Sequence, residues 1–176
     1  MLHQPILLNG PWELRFEQTG YGHAPARDTF QTLIPLNQST NEGIKYFSGT
    51  VSYHYRFFMP EDVLQKGRIV LLQLGKVREI ADVYLNGKKL GSAWHAPFEI
   101  DITSAIKAGQ NYLIVEVVNT PNNALVGDAK LSGEDRRMKS NITRLPNAWN
   151  KPFAEAPLLD AGLIGPVSIR FAQIIN

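Results

Sequence analysis

The sequence predicts an all-β protein, an antiparallel β-sandwich of the jelly-roll kind. Period-two alternation of apolar and polar residues returns in segment after segment, an Asn-Gly pair sits between two β-capable arms, and no long 3.6-period stretch occurs. Trp12, Leu14 and Phe16 alternate with Glu13, Arg15 and Glu17, the mark of a half-buried strand. Val51, Tyr53, Tyr55 and Phe57 repeat the pattern against Ser52, His54 and Arg56. Pro60, which has no N–H to give to a ladder, closes that run. "RIVLLQL", Arg68 to Leu74, is nearly continuous apolar and suits a strand covered on both faces or one in the middle of a sandwich. Asn86-Gly87 supplies the two positive-φ residues of a type I′ turn inside "IADVYLNGKKLGSAW". "PFEIDI" predicts a further strand, with Asp101 placed to cap the backbone amides of the short helical turn in "TSAIKAGQN", which stops at Gly109. "YLIVEVVN" and "PVSIRFAQI" complete eight or nine strands.

At 176 residues and 44% hydrophobic, the chain can form one domain with a substantial core, burying roughly 70% of its unfolded surface. One domain over residues 1–176 is the expectation. With 18 Lys and Arg against 16 Asp and Glu, and no basic run, the electrostatic footprint of a nucleic-acid or membrane partner is missing. No cysteine is present, so disulfide and thiolate chemistry are excluded. "MLHQPILLNGPW" lacks the basic start and apolar length of a signal peptide, and no run of about 18 apolar residues occurs.

The interval from Thr120 to Gly165 separates two strands without a clear pattern of its own. Compact domains rarely keep so long a connection unless it is functional, disordered or carries small elements of its own. Leu125, Met138, Trp149, Phe153, Leu158 and Leu159 make it too apolar for plain disorder, so it is expected to be ordered against the rim of the sandwich.

"YHYRFFMP" (Tyr53 to Pro60), "ADVYLNGKKLG" (Ala81 to Gly91), "PFEIDIT" (Pro97 to Thr103) and "GQNYLIVEVVN" (Gly109 to Asn119), in this order, resemble the sugar-binding sandwich domain of family 2 glycoside hydrolases. "AGLIGPVSI" (Ala161 to Ile169) and "NNALVGD" (Asn122 to Asp128) resemble the C-terminal sandwich of large α-L-rhamnosidases. The chain departs from these patterns where Ile164, Gly165 and Pro166 follow Leu163, and at Ala124. The resemblance implies a galactose-binding-like jelly roll that is a non-catalytic accessory domain, sugar-binding or structural, of an exported α-L-rhamnosidase-like enzyme. Its implied partners are the catalytic domain of the same parent and a rhamnose- or galactose-containing glycan. A free-standing carbohydrate-binding module is the alternative.

Glycoside hydrolysis normally takes two carboxyl groups flanking one sugar. Asp128, Glu155 and Asp160 all lie in the long connection, but nothing in their spacing brings two together, and a solvated or capping role is the simpler account. His3, His23, His54 and His95 are scattered without ligand spacing, so no zinc site is expected, and no EF-hand or phosphate-cradling loop is present. No cofactor is implied. Carbohydrate recognition asks for an aromatic face ringed by amides and charges. Trp149 with Asn147, Asn150, Lys151 and Arg144, facing Asn122, Asn123 and Asp128 from the other end of the connection, offers that set. In the competing account Trp149 anchors the loop or meets a neighbouring domain. Trp94 shares an alternation with Leu90 and Ser92 and is expected to close a hydrophobic seam, leaving His95 as a hydrogen-bonded structural histidine.

Overall fold

The computed structural model describes residues 4–18, 23–65, 67–137 and 152–173. Twelve strands follow along these residues: β1 (Ile6–Leu7), β2 (Trp12–Phe16), β3 (Arg27–Phe30), β4 (Thr50–Met59), β5 (Arg68–Gln73), β6 (Lys76–Arg78), β7 (Ile80–Leu85), β8 (Lys88–Ala93), β9 (Glu99–Asp101), β10 (Gly109–Val118), β11 (Gly162–Gly165) and β12 (Ser168–Gln173). A short helix, α1 (Glu42–Lys45), precedes β4, and a longer one, α2 (Asn122–Ala129), follows β10.

The strands form two main layers, a six-stranded sheet in the order β3-β2-β4-β10-β7-β8 and a four-stranded sheet in the order β1-β12-β5-β9. Every pairing between these strands is antiparallel, as the sandwich expectation requires. Alternation decides which side chains meet in the middle. Leu14, Val51, Tyr53, Val83 and Val115 from the large sheet bury against Val70, Leu72, Ile169 and Phe171 from the small one. The Asn86-Gly87 turn has φ of 53° and 83°, both left-handed, and joins β7 to β8. Asp101 Oδ1 accepts the Thr103 N–H at 2.8 Å, which is the capping role expected of it. The turn after it is a single helical turn, closed by the Ala105 and Ile106 amides on the Ile102 carbonyl.

Polar side chains on the outward face of the large sheet are mutually engaged. Arg15 Nε donates to Glu13 Oε1 at 2.8 Å, Lys89 pairs with Asp82 at 2.6 Å, and Arg56 lies over the Tyr112 ring at 5.0 Å. His54, buried among them, has Nδ1 at 2.5 Å from the Tyr112 hydroxyl and Nε2 at 2.9 Å from Ser52 Oγ. Burial holds its imidazole below the ordinary 6.5; nearby Arg15 acts in the same direction, against the smaller opposing effect of Glu13. The unfolded chain therefore takes up this proton first as pH falls. The contribution is fully present above pH 6.5 and is lost as pH drops from there toward the folded-state value. Thermal melts at pH 7.5 and 5.5 should show the Tm falling on acidification, and His54→Gln should flatten that interval. The carboxylates of Glu13, Asp82 and Asp160, held low chiefly by hydrogen bonds from Arg15, Lys89 and Lys76, act only at more acid pH, below about 4.5.

Candidate functional site

The long connection leaves β10 and turns at Pro121 into α2. Asn-Asn and a Gly-Asp pair make this a weak helix by propensity, so its stability is tertiary. Ala124 and Val126 are buried, and Asn123 clips the returning chain by accepting the Leu159 N–H and donating to the Leu159 carbonyl, both at 2.8 Å. Asn122 Nδ2 donates to Asn123 Oδ1 at 3.1 Å. Asp128, also buried, holds the following segment: Oδ1 accepts the Arg137 N–H at 2.7 Å and Oδ2 lies 3.4 Å from Arg136 Nε. The connection comes home on β11, which pairs with β6.

Between α1 and α2 lies a cleft of about 520 Å³, walled by His23, Glu42, Gly43, Tyr46, Ala124, Gly127, Asp128, Lys130, Leu131 and Arg137. That size is in the range of small-molecule sites. Gly127 lacks a side chain for a steric reason, since a Cβ there would stand 2.7 Å from Tyr46 Cγ. The Tyr46 ring is thereby pressed onto α2. Lys130 Nζ donates to its hydroxyl at 3.1 Å and sits 5.4 Å from the ring centroid. A second cleft of about 240 Å³, beside Trp12, Gln31 and Pro166, has no charged side chain in its wall.

Of the residues expected to meet a sugar, Asp128 lines the α1–α2 cleft. Asn123 is committed to the backbone at Leu159, and Asn122 neighbours it on the same helix. Arg144, Asn147, Trp149, Asn150 and Lys151 lie outside the described residues. His23, Glu42 and Tyr46 come from a stretch in which no motif stands out; the local clue was Asn41, whose side chain accepts the Gly43 N–H at 2.9 Å and caps α1. Among the carboxylates of the connection, the candidates for a catalytic pair, Asp128, Glu155 and Asp160, do not converge here. Asp160 pairs with Lys76 at 2.7 Å, Glu155 is exposed outside the cleft wall, and Asp128 is braced by Arg136. No group of three His, Asp or Glu able to hold a metal occurs among the described residues.

The expectation for Trp94 is corrected: it is 68% exposed and closes no seam. The cause is a β-bulge. Ala93 pairs with Ala81 and Gly91 with Val83, but Lys89 pairs with Tyr84, so Leu90 is the extra residue. One added residue reverses the alternation. Leu90 packs on the core while Ser92 and Trp94 face out, and Ser92 donates to Asp82 on the outer face. Trp94 immediately follows Ala93, the partner of Ala81, and the neighbouring Ile80 pairs with Val118, so three exposed apolar residues lie at this end of the large sheet. His95 is exposed as well, its ring edge-on to Trp94 at 4.6 Å and its Nδ1 at 3.0 Å from the Ala96 carbonyl oxygen, a local contact only.

Known proteins share this architecture. A Formosa agariphila protein named "Putative beta-glucuronidase" is 38% identical over 95% of the chain, which corresponds to 16% of that protein. A rhamnosidase structure from Novosphingobium sp. PP1Y superposes with a TM-score of 0.82 at 35% identity, over 98% of this chain and 15% of that one. A β-D-glucuronidase structure from Dictyoglomus thermophilum, 19% identical with a TM-score of 0.64 over 97% of this chain and 28% of that one, shares the fold. The chain thus spans less than a fifth of the length of the curated relatives it matches. The family model described as "Glycosyl hydrolases family 2, sugar binding domain" matches residues 5–152, and with its two-layer jelly roll this chain belongs to that family.

Proposed function

We propose that the chain is a non-catalytic module of a larger glycoside hydrolase of α-L-rhamnosidase type, and that it contributes a carbohydrate contact through the cleft between α1 and α2. The observation that carries this reading is one of proportion. Nearly the whole chain superposes on the Novosphingobium rhamnosidase, yet it accounts for only 15% of that protein. Asp128, Glu155 and Asp160 do not come together, and of the two carboxylates in the cleft wall, Glu42 and Asp128, the second is already held by Arg136 and the Arg137 amide. This supports the absence of hydrolysis, because a glycosidase needs two working carboxyl groups about 5 to 10 Å apart across one sugar. The exposed Trp94, Ile80 and Val118 favour a module seated against the rest of its enzyme over a free-standing one, which would leave them in water.

The purified chain should release no p-nitrophenol from its α-L-rhamnopyranoside or β-D-glucuronide. Turnover by the chain that disappears in Asp128→Asn would overthrow the non-catalytic reading.

A further inference from the structure

The α1–α2 cleft carries a charge imbalance that a neutral sugar would leave unused. Its acid Asp128 is answered within the protein by Arg136 Nε and by the Arg137 N–H. The Arg137 guanidinium is not spent in the same way. Its Nη2 donates to His23 Nδ1 at 3.4 Å, a contact that makes this nitrogen the acceptor, and it forms no ion pair among the described residues. Lys130 likewise has no carboxylate partner among them; its contacts are the Tyr46 hydroxyl and ring. Glu42 is then the single acid in the wall without a cation bound to it in the described structure, against two uncompensated cations.

The position of Arg137 is fixed although its side chain is exposed, because its own backbone amide is tied to Asp128. A guanidinium fork matches a carboxylate or sulfate through paired hydrogen bonds, and an ammonium beside it adds a point charge. Ala124, Leu131 and the Tyr46 ring supply the apolar wall against which the C–H face of a sugar ring can lie. We infer that the cleft selects an anionic sugar residue, a uronate or a sulfate ester, with its acidic group on Arg137 and Lys130. The inference rests on the carbohydrate-binding reading above and names the class of sugar.

The test is an NMR titration of the ¹⁵N-labelled chain with three methyl β-D-glycosides that differ only at C6: the glucuronide, the glucoside and the glucoside 6-sulfate. At least one acidic sugar should bind about tenfold more tightly than the glucoside, the worth of one charge-assisted hydrogen bond. Shifts should appear at the amides of residues 127–131 and 137, and the advantage should shrink as salt is raised. Whichever acidic sugar shows it tells carboxylate from sulfate. Arg137→Gln should remove the advantage, whereas Arg170→Gln, exposed on the opposite sheet, should keep it. Equal binding of all three sugars, or an advantage that survives in Arg137→Gln, overturns the charge selection while leaving carbohydrate binding in place. No shift with any of the three removes the carbohydrate-binding reading itself, and the inference with it.

Discussion

Trp12→Ala should lower the stability of the chain by about 3–5 kcal/mol, the cost of emptying a large aromatic site in a packed core. Trp12 has no exposed surface, and its ring stacks on Tyr55 with centroids 4.5 Å apart. It stands on β2, whose other inward residues, Leu14 and Phe16, are also buried, so the strand is held by three side chains of which Trp12 is the largest. Small domains are stable by only about 5–15 kcal/mol, so the loss is a large fraction of the whole. Urea titration is the measurement: the midpoint should fall with an unchanged slope, and the Tm should drop by about 10 °C. Trp12→Phe keeps an aromatic face toward Tyr55 and should cost much less. If alanine and phenylalanine cost the same, the stacking and volume of Trp12 are not what holds β2 in the sheet.

The strands that carry this core are those that the sequence makes plain. β2, β4, β7 and β10 bury alternate residues, and that alternation is a local property of the chain; β5, nearly continuous apolar in sequence, buries Val70 and Leu72 and leaves Ile69 and Leu71 half-buried. What escaped has no local amphipathic signal. β3 reads Arg-Asp-Thr-Phe at a sheet edge and buries only Phe30; β6 and β11 pair chiefly with each other; β1 is two residues long. α2 is built from residues that favour turns and is helical because Val126 is buried and Asn123 bonds the backbone of Leu159 far along the chain.

The candidate site was legible to a smaller degree for the same reason. Asn122 and Asp128 could be suspected from their place in an oversized connection. Tyr46 could not, since its opposite number is Gly127, and a glycine chosen to admit a distant ring looks in sequence like any helix breaker. Trp94 shows how small a feature can defeat alternation: the single bulged residue Leu90 exchanges the two faces of everything that follows it in β8.

The return of the long connection to the core depends on one atom's worth of space, and Gly162→Ala should remove it. Gly162 has φ of +87°, a region unfavourable to any residue with a Cβ, and that Cβ would stand 2.2 Å from the Tyr53 hydroxyl and 2.9 Å from Leu36 Cγ. Tyr53 is fully buried, its hydroxyl accepts the Leu163 N–H at 3.1 Å, and burial pushes its ionisation far above the ordinary range, so the group stays a neutral phenol at any working pH. It is the pin between β4 and β11. Tyr53→Phe leaves the Leu163 amide buried without an acceptor and should cost about 1–3 kcal/mol. Gly162→Ala should cost more, about 3–4 kcal/mol, because it adds backbone strain to the displacement of that same hydroxyl. Combining the two takes away the oxygen with which the new methyl collides. The double variant should therefore be destabilised by less than the sum of the singles, with a coupling of about 1 kcal/mol or more. Chemical denaturation of the four proteins gives the cycle directly. Strict additivity would mean that Gly162 is required for its φ alone and that the hydroxyl is free to move; coupling would place the anchor of the whole excursion in the contact between this glycine and this phenol.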